Sequence, residues 1–203
     1  MNSRIKKSIL KLKESSTLVI NEKSKELIKQ KKKIYQFGFG QSPFPVPEKI
    51  VETLKNHAHR KEYLPVQGLP ELREGISRYL EKKTGNNIPK ENILITPGSK
   101  EAMLLIHIAF NGEIIIPAPG WVSYEPQAEI GSNKVHWLET TRENNWFPTG
   151  KELEKKIKLI GKNKNLILIL NSPNNPSGAV CGNLEELAKV AKKYKIMVLS
   201  DEI

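Results

Sequence analysis

From Ile93 to Ser200 the chain alternates short apolar runs with segments of helix length, and this alternation constrains the fold more than any other feature. The runs are Ile93–Thr96, Glu113–Ile116, Lys134–Leu138, Leu166–Leu170 and, within Ile196–Ser200, Met197–Leu199. Each has strand length, and Leu166–Leu170 is apolar throughout. Between them lie helical segments: Glu101–Phe110, one near Trp121–Ile130, Lys151–Ile160 with Thr149 as its cap, and one opened by Asn183, for which Glu186 completes a capping box. Glu101–Phe110 has so few polar residues that burial is expected. Strands that each hand over to a helix predict an α/β core around a mostly parallel sheet, joined by right-handed crossovers.

Upstream, residues 3–13 and 18–30 read as two helices and Ile34–Phe39 as extended chain. Pro43, Pro45 and Pro47 remove backbone donors and fix φ, so the segment from Gly40 to Pro47 is irregular. Pro47 then opens a helix with Ile50, Val51 and Leu54 on one face. Leu69–Leu80 forms the next, striped by Leu72, Ile76, Tyr79 and Leu80, and Thr84-Gly85 ends it.

A chain of 203 residues, 38% hydrophobic and 27% charged, is long enough to bury a core. No stretch approaches the roughly 18 consecutive apolar residues of a membrane span. The single cysteine, Cys181, forms no internal disulfide, and no apolar signal core follows the basic start. A cytoplasmic location and no membrane partner are expected. The net charge of +11 invites a nucleic-acid reading, but residues 1–33 hold eleven basic residues against three glutamates and so supply +8 of it. No aromatic residues interleave with Lys11, Lys13 or Lys31–Lys33 as a base-stacking surface needs, so no nucleic-acid partner is expected. His57, His59, His107 and His136 lack metal-ligand spacing, and no metal is expected.

Three polar clusters follow the ends of expected strands. In Thr96-Pro97-Gly98-Ser99-Lys100 a glycine turn leads into a helix. Its first N–H groups and the Ser99 hydroxyl are suited to cradle a phosphate, or the segment is an ordinary turn capped by Ser99. It lacks the spacing of a nucleotide P-loop. Asn171-Ser172-Pro173-Asn174-Asn175-Pro176-Ser177-Gly178 holds side-chain amides in a proline-locked loop, either as donors to a ligand oxygen or as partners of their own backbone. Asp201 follows the last strand, where a carboxylate binds a metal, pairs with a protonated ring nitrogen, acts as a base, or simply ends the strand. Trp121 follows Pro117-Ala118-Pro119-Gly120 and suits either stacking on a flat ring or core packing.

In order along the chain, Phe37-Gly38-Phe39-Gly40, Tyr63 with Gly68-Leu69-Pro70-Glu71-Leu72-Arg73, Gly98-Ser99-Lys100, Pro117 to Tyr124, Asn171 to Gly178, and Asp201-Glu202 resemble the class I/II aminotransferases, fold-type I enzymes that use pyridoxal 5'-phosphate (PLP). The resemblance runs from about Ser15 to the last residue. It implies the three-layer α/β large domain of that fold, with a mostly parallel and here incomplete sheet. Residues 1–33 would be a basic arm, 34–92 would contribute to the small domain and the interdomain or dimer region, and 93–203 would be part of the PLP-binding large domain. The implied activity is amino-group transfer between an amino acid and a 2-oxo acid in a homodimer. A lyase or synthase on the same scaffold is the alternative enzyme, and a non-catalytic or split fragment needing a partner half is the other class.

The resemblance also assigns roles. Ser99 with the backbone of Gly98–Lys100 corresponds to the phosphate cradle, Trp121 to the aromatic against the pyridine ring, Asn175 to the partner of the phenolic oxygen, and Asp201 to the partner of the pyridine nitrogen. Gly40 corresponds to backbone beside the substrate carboxylate, and Tyr63 to the tyrosine that reaches the phosphate of the neighbouring subunit. The lysine that carries the cofactor has no counterpart: Lys100 belongs to the phosphate turn and Lys195 precedes the Asp201 strand. A chain that ends on a strand, before its next covering helix, reads as a truncation, and the missing strands belong between the first and fifth of those named above. Without that lysine the 203 residues alone are expected to be inactive, and to be poorly soluble or to need the missing half, because such an edge exposes apolar surface. Size-exclusion chromatography checks the second point, and a monodisperse, cooperatively folding monomer contradicts it.

Overall fold

The structure, a computed structural model, describes residues 4–12, 16–35, 40 and 42–203. The helices are α1 (Lys7–Leu10), α2 (Ser16–Lys29), α3 (Glu48–His57), α4 (Pro70–Thr84), α5 (Ser99–Ala109), α6 (Tyr124–Ile130), α7 (Gly150–Ile160) and α8 (Leu184–Tyr194). The strands are β1 (Glu113–Ala118), β2 (Val135–Glu139), β3 (Leu166–Asn171) and β4 (Met197–Asp201). The chain forms two compact units, 1–13 with 97–203, and 14–96.

In the first unit the four strands form one parallel sheet in the order β2-β1-β3-β4. Alternate residues of a strand face opposite sides, so an apolar strand feeds two cores. Ile115, Leu166, Leu168 and Leu170 pack with Leu153 and Ile157 of α7 and Leu187 and Ala191 of α8. Ile114, Ile116, Ile167 and Ile169 pack with Met103 of α5 and Tyr124 and Ala128 of α6. Three layers result, as expected from the sequence. The chain moves one way along the sheet from β1 to β2 and the other way from β2 through β3 to β4. A constant crossover hand then requires α6 to lie on one face and α7 and α8 on the other, as they do. The change of direction leaves a crevice at the carboxyl ends of β1 and β3.

The structure departs from the sequence reading at four places. Residues 93–96 form no strand among the described residues: Ile93 is extended, but the Ile95 N–H donates to the Gln67 carbonyl (3.0 Å) instead of a ladder. Helix α5 is not wholly buried. Met103 and His107 are, while Leu105, Ile106 and Ile108 are 43%, 38% and 58% exposed, because only one stripe of α5 meets the sheet. Asn183 occupies the N-cap position of α8 without capping it: its Oδ1 accepts from Cys181 Sγ (3.3 Å) and its Nδ2 donates to the Pro148 carbonyl (2.9 Å). A complete capping box instead opens α7, where Thr149 Oγ1 accepts from the Glu152 N–H (3.2 Å) and Glu152 Oε2 accepts from the Thr149 N–H (2.8 Å). The basic helix expected over residues 3–13 is the single turn α1, with 1–3 and 13 outside the described residues. The end of the extended stretch, Gln36–Phe39, also lies outside them.

In the unit 14–96, α4 begins at Pro70 and ends at Gly85, which takes the left-handed conformation (φ 74°). Gly68 precedes α4 at φ 95°, and a Cβ there would lie 2.5 Å from the Ile95 side chain. Both the dihedral and the close approach demand glycine. Arg73, buried on α4, donates to Gln67 Oε1 and the Lys90 carbonyl, each at 3.0 Å, and fastens the helix to the segment before residue 93.

His107 is completely buried on α5, and neither ring nitrogen has a hydrogen-bond partner among the described residues. Burial holds its pKa below the ordinary value. The unfolded chain therefore binds the extra proton more readily, and this contribution to stability is complete above the unfolded value of about 6.5 and is lost as pH falls through the folded value. Urea unfolding is predicted to show stability falling between pH 7.5 and 5, with a shallower fall in His107→Leu. Equal slopes in the two proteins would contradict this.

Candidate cofactor site

Period-two alternation on β3 and β4 builds the site. Ile167 and Ile169 face α5 and α6, so Asn171, two residues on, faces the same side. Leu199 packs on that cluster, and Asp201 follows two residues later. The register pairs Asn171 with Asp201 directly. Two apolar strand faces thus end side by side in a buried amide and a buried carboxylate.

Asn171 holds both neighbouring strand ends. Its Oδ1 accepts from the Asn175 N–H (2.6 Å), and its Nδ2 donates to the Asp201 carbonyl (3.1 Å). The Ser172 N–H also donates to the Asp201 carbonyl (3.1 Å). Asn174, also buried, donates to the Pro119 carbonyl (3.2 Å) and accepts from Ser177, which ties the 171–178 loop to the turn after β1. These bonds account for most of the loop's side-chain amides. The Asn175 amide has no partner among the described residues and is left exposed.

The Asp201 carboxylate is bonded on one side only. Tyr124 Oη donates to Oδ2 at 2.6 Å, and no protein group among the described residues bonds Oδ1. Burial, and then the Asp201 carboxylate, push the Tyr124 phenol far above its ordinary pKa, so it remains a donor. Trp121 meets Tyr124 edge to face, with ring centroids 5.4 Å apart. Across the crevice, Gly98 opens α5 at φ 90°. The N–H groups of the first turn of α5 have no partner within the helix. Gln127 Nε2 fixes that turn by donating to the Lys100 carbonyl (2.7 Å), and Lys100 Nζ lies 5.5 Å from the centroid of Trp121.

These groups surround one cavity of about 330 Å³, lined by Gly98, Ser99, Lys100, Trp121, Asn175 and Asp201 together with Asn171, Pro173 and Ile203. Six of the eight residues singled out in the sequence thus line the same cavity. Gly40 and Tyr63 belong to the unit 14–96, where Tyr63 is fully exposed. Sequence reasoning missed Asn171 and Tyr124 as individuals. Asn171 was detectable as the polar end of an apolar strand face. Nothing in the sequence signals that Tyr124 meets a carboxylate 77 residues away. Among the described residues there is no cluster of histidine, cysteine or carboxylate side chains placed to hold a metal, and no helix is long and apolar enough to cross a membrane.

At the carboxyl ends of the parallel sheet, a helix start, an aromatic side chain, an amide and a half-bonded carboxylate gather on one cavity. The family profile for aminotransferase class I and II matches residues 32–203, and the chain belongs to that family. It is 34% identical over 196 residues to the aspartate aminotransferase of Thermotoga maritima, covering 93% of this chain and 51% of the relative. It is 31% identical over 209 residues to the asparagine–oxo-acid transaminase of Streptococcus mutans, covering 99% and 52%. The solved aspartate aminotransferase of Thermus thermophilus with maleate superposes at TM-score 0.90 and 29% identity, covering all of this chain and 54% of that one. The chain spans about half the length of the relatives it matches.

Asn171→Leu is predicted to lower the unfolding free energy by about 2 kcal/mol or more, because it strands buried polar partners. Asn175→Ala, at an exposed amide, should change it by less than about 0.5 kcal/mol. Chemical denaturation of both variants checks the contrast, and equal losses would contradict it.

Proposed function

We propose that the protein transfers an amino group between an amino acid and a 2-oxo acid using PLP. The observation that carries this reading is the convergence of Ser99, Trp121, Asn175 and Asp201 on one cavity. Residues 93–203 provide the cofactor-binding part, and 34–92 contribute to a small domain and the dimer region.

The residues present suit the cofactor group by group. The Ser99 hydroxyl and the backbone of Gly98–Lys100 receive the phosphate, with the helix start favouring its negative charge. Trp121 covers the ring, the Asn175 amide donates to its phenolic oxygen, and Asp201 Oδ1 accepts from its protonated nitrogen. When bound, PLP supplies an electron sink for negative charge at the substrate α-carbon. The part of Asp201 is electrostatic: a carboxylate out of water favours the proton on the ring nitrogen. The family resemblance assigns the backbone at Gly40 to the substrate carboxylate. Tyr63, fully exposed, is available to the phosphate of a second copy in a homodimer. Neither Lys100 nor Lys195 matches the lysine that carries the cofactor, so binding is best tested with pyridoxamine 5'-phosphate, which forms no bond to a lysine.

Absorbance or fluorescence titration of the protein with pyridoxamine 5'-phosphate is predicted to saturate. Asp201→Ala should weaken binding by about tenfold or more, the worth of a hydrogen bond to a charged group. In an enzyme form that turns over, the same substitution should slow proton abstraction in a single turnover. Absence of saturable binding, or an Asp201→Ala protein that binds as tightly as the wild type, would overturn the reading.

A further inference from the structure

Resting on that reading, we propose that Tyr124 is a positioning residue for the site: its phenol pins the Asp201 carboxylate with Oδ1 turned to the cavity, and its ring sets the plane of Trp121.

Three observations meet at this side chain. Tyr124 is almost fully buried at the start of α6, packed with Met103, Ile116 and Ile169, so its ring cannot swing. Its hydroxyl makes the single hydrogen bond that the Asp201 carboxylate receives from the described residues, at 2.6 Å on Oδ2. Its ring meets Trp121 in the edge-to-face arrangement that aromatic pairs favour. One side chain therefore touches both the group expected to hold a ring nitrogen and the group expected to cover the ring.

The phenol acts through direction: a donor on Oδ2 fixes the rotamer of the carboxylate while leaving Oδ1 unengaged. A carboxylate held beside a protonated ring nitrogen favours the charged ring. Tyr124 touches no reacting atom in this account and acts only through Asp201 and Trp121.

The test uses pyridoxamine 5'-phosphate labelled with ¹⁵N in its ring, whose chemical shift reports the proton on that nitrogen. Tyr124→Phe should weaken binding by about tenfold and move the protonation midpoint of the ring nitrogen down by about one pH unit. On an Asp201→Ala background, Tyr124→Phe should change affinity by less than about twofold, because the coupling partner is gone. Tyr124→His keeps a ring and an N–H donor and should recover part of both effects; where the phenylalanine variant is unfolded by circular dichroism, the histidine variant serves in the same cycle. If the wild type fails to bind, the proposed function falls and this role with it. If the wild type binds and the Tyr124 variants match it in affinity and protonation midpoint, or lose as much affinity without Asp201 as with it, the role of Tyr124 alone is overturned.

Discussion

The pairing of Asn171 with Asp201 is the constraint on which the rest of the site depends. Parallel strands in register bring two residues 30 positions apart into lateral contact, and the same pairing decides which face each side chain takes. A slip of one residue on β4 would turn the carboxylate toward α7 and α8, away from Tyr124 and the cavity. Apolar residues behind the pair fix which way each strand faces: on β3, Leu168 and Leu170 reach one core and Ile167 and Ile169 the other, and before Asp201, Ile196 reaches the first core and Leu199 packs on the second. The chemistry at the end of the sheet is thus fixed by hydrophobic packing along its length.

Around that pair, the surrounding loops are held by side-chain amides. Asn171 and Asn174 are buried and spend their hydrogen bonds on backbone of the 171–178 loop, β4 and the turn after β1. Gln127 does the same for the first turn of α5. Buried amides bonded in this way stiffen loops that would otherwise expose unpaired backbone. Asn175, whose amide is left unbonded, and Asp201, whose Oδ1 has no partner among the described residues, both line the cavity.

Much of this was legible in the sequence. Strands of five or six residues with helices between them revealed the layered fold, and glycine and proline punctuation located the turns that carry Ser99, Trp121 and Asn175. What stayed hidden depended on long-range contact. Ile93–Thr96 has the composition of a strand but lacks a ladder, and composition says nothing about a partner. The exposed flank of α5 reads as core because periodicity reports apolar character and not which face is covered. Asn183 and Glu186 have capping-box spacing, yet Asn183 turns to Pro148, a partner 35 residues away. Tyr124 reads as one aromatic among several until the fold brings it to Asp201.

On the proposed function, one flat, phosphorylated ligand is gripped on two sides by groups from adjacent strand ends while its phosphate rests on the start of α5. The most direct measurement is a crystal structure of the protein with pyridoxamine 5'-phosphate. The ring nitrogen is predicted within hydrogen-bond distance of Asp201 Oδ1, the phenolic oxygen at the Asn175 amide, and the phosphate at residues 98–100. Density for the ligand elsewhere, or with its ring nitrogen turned away from Asp201, would contradict it.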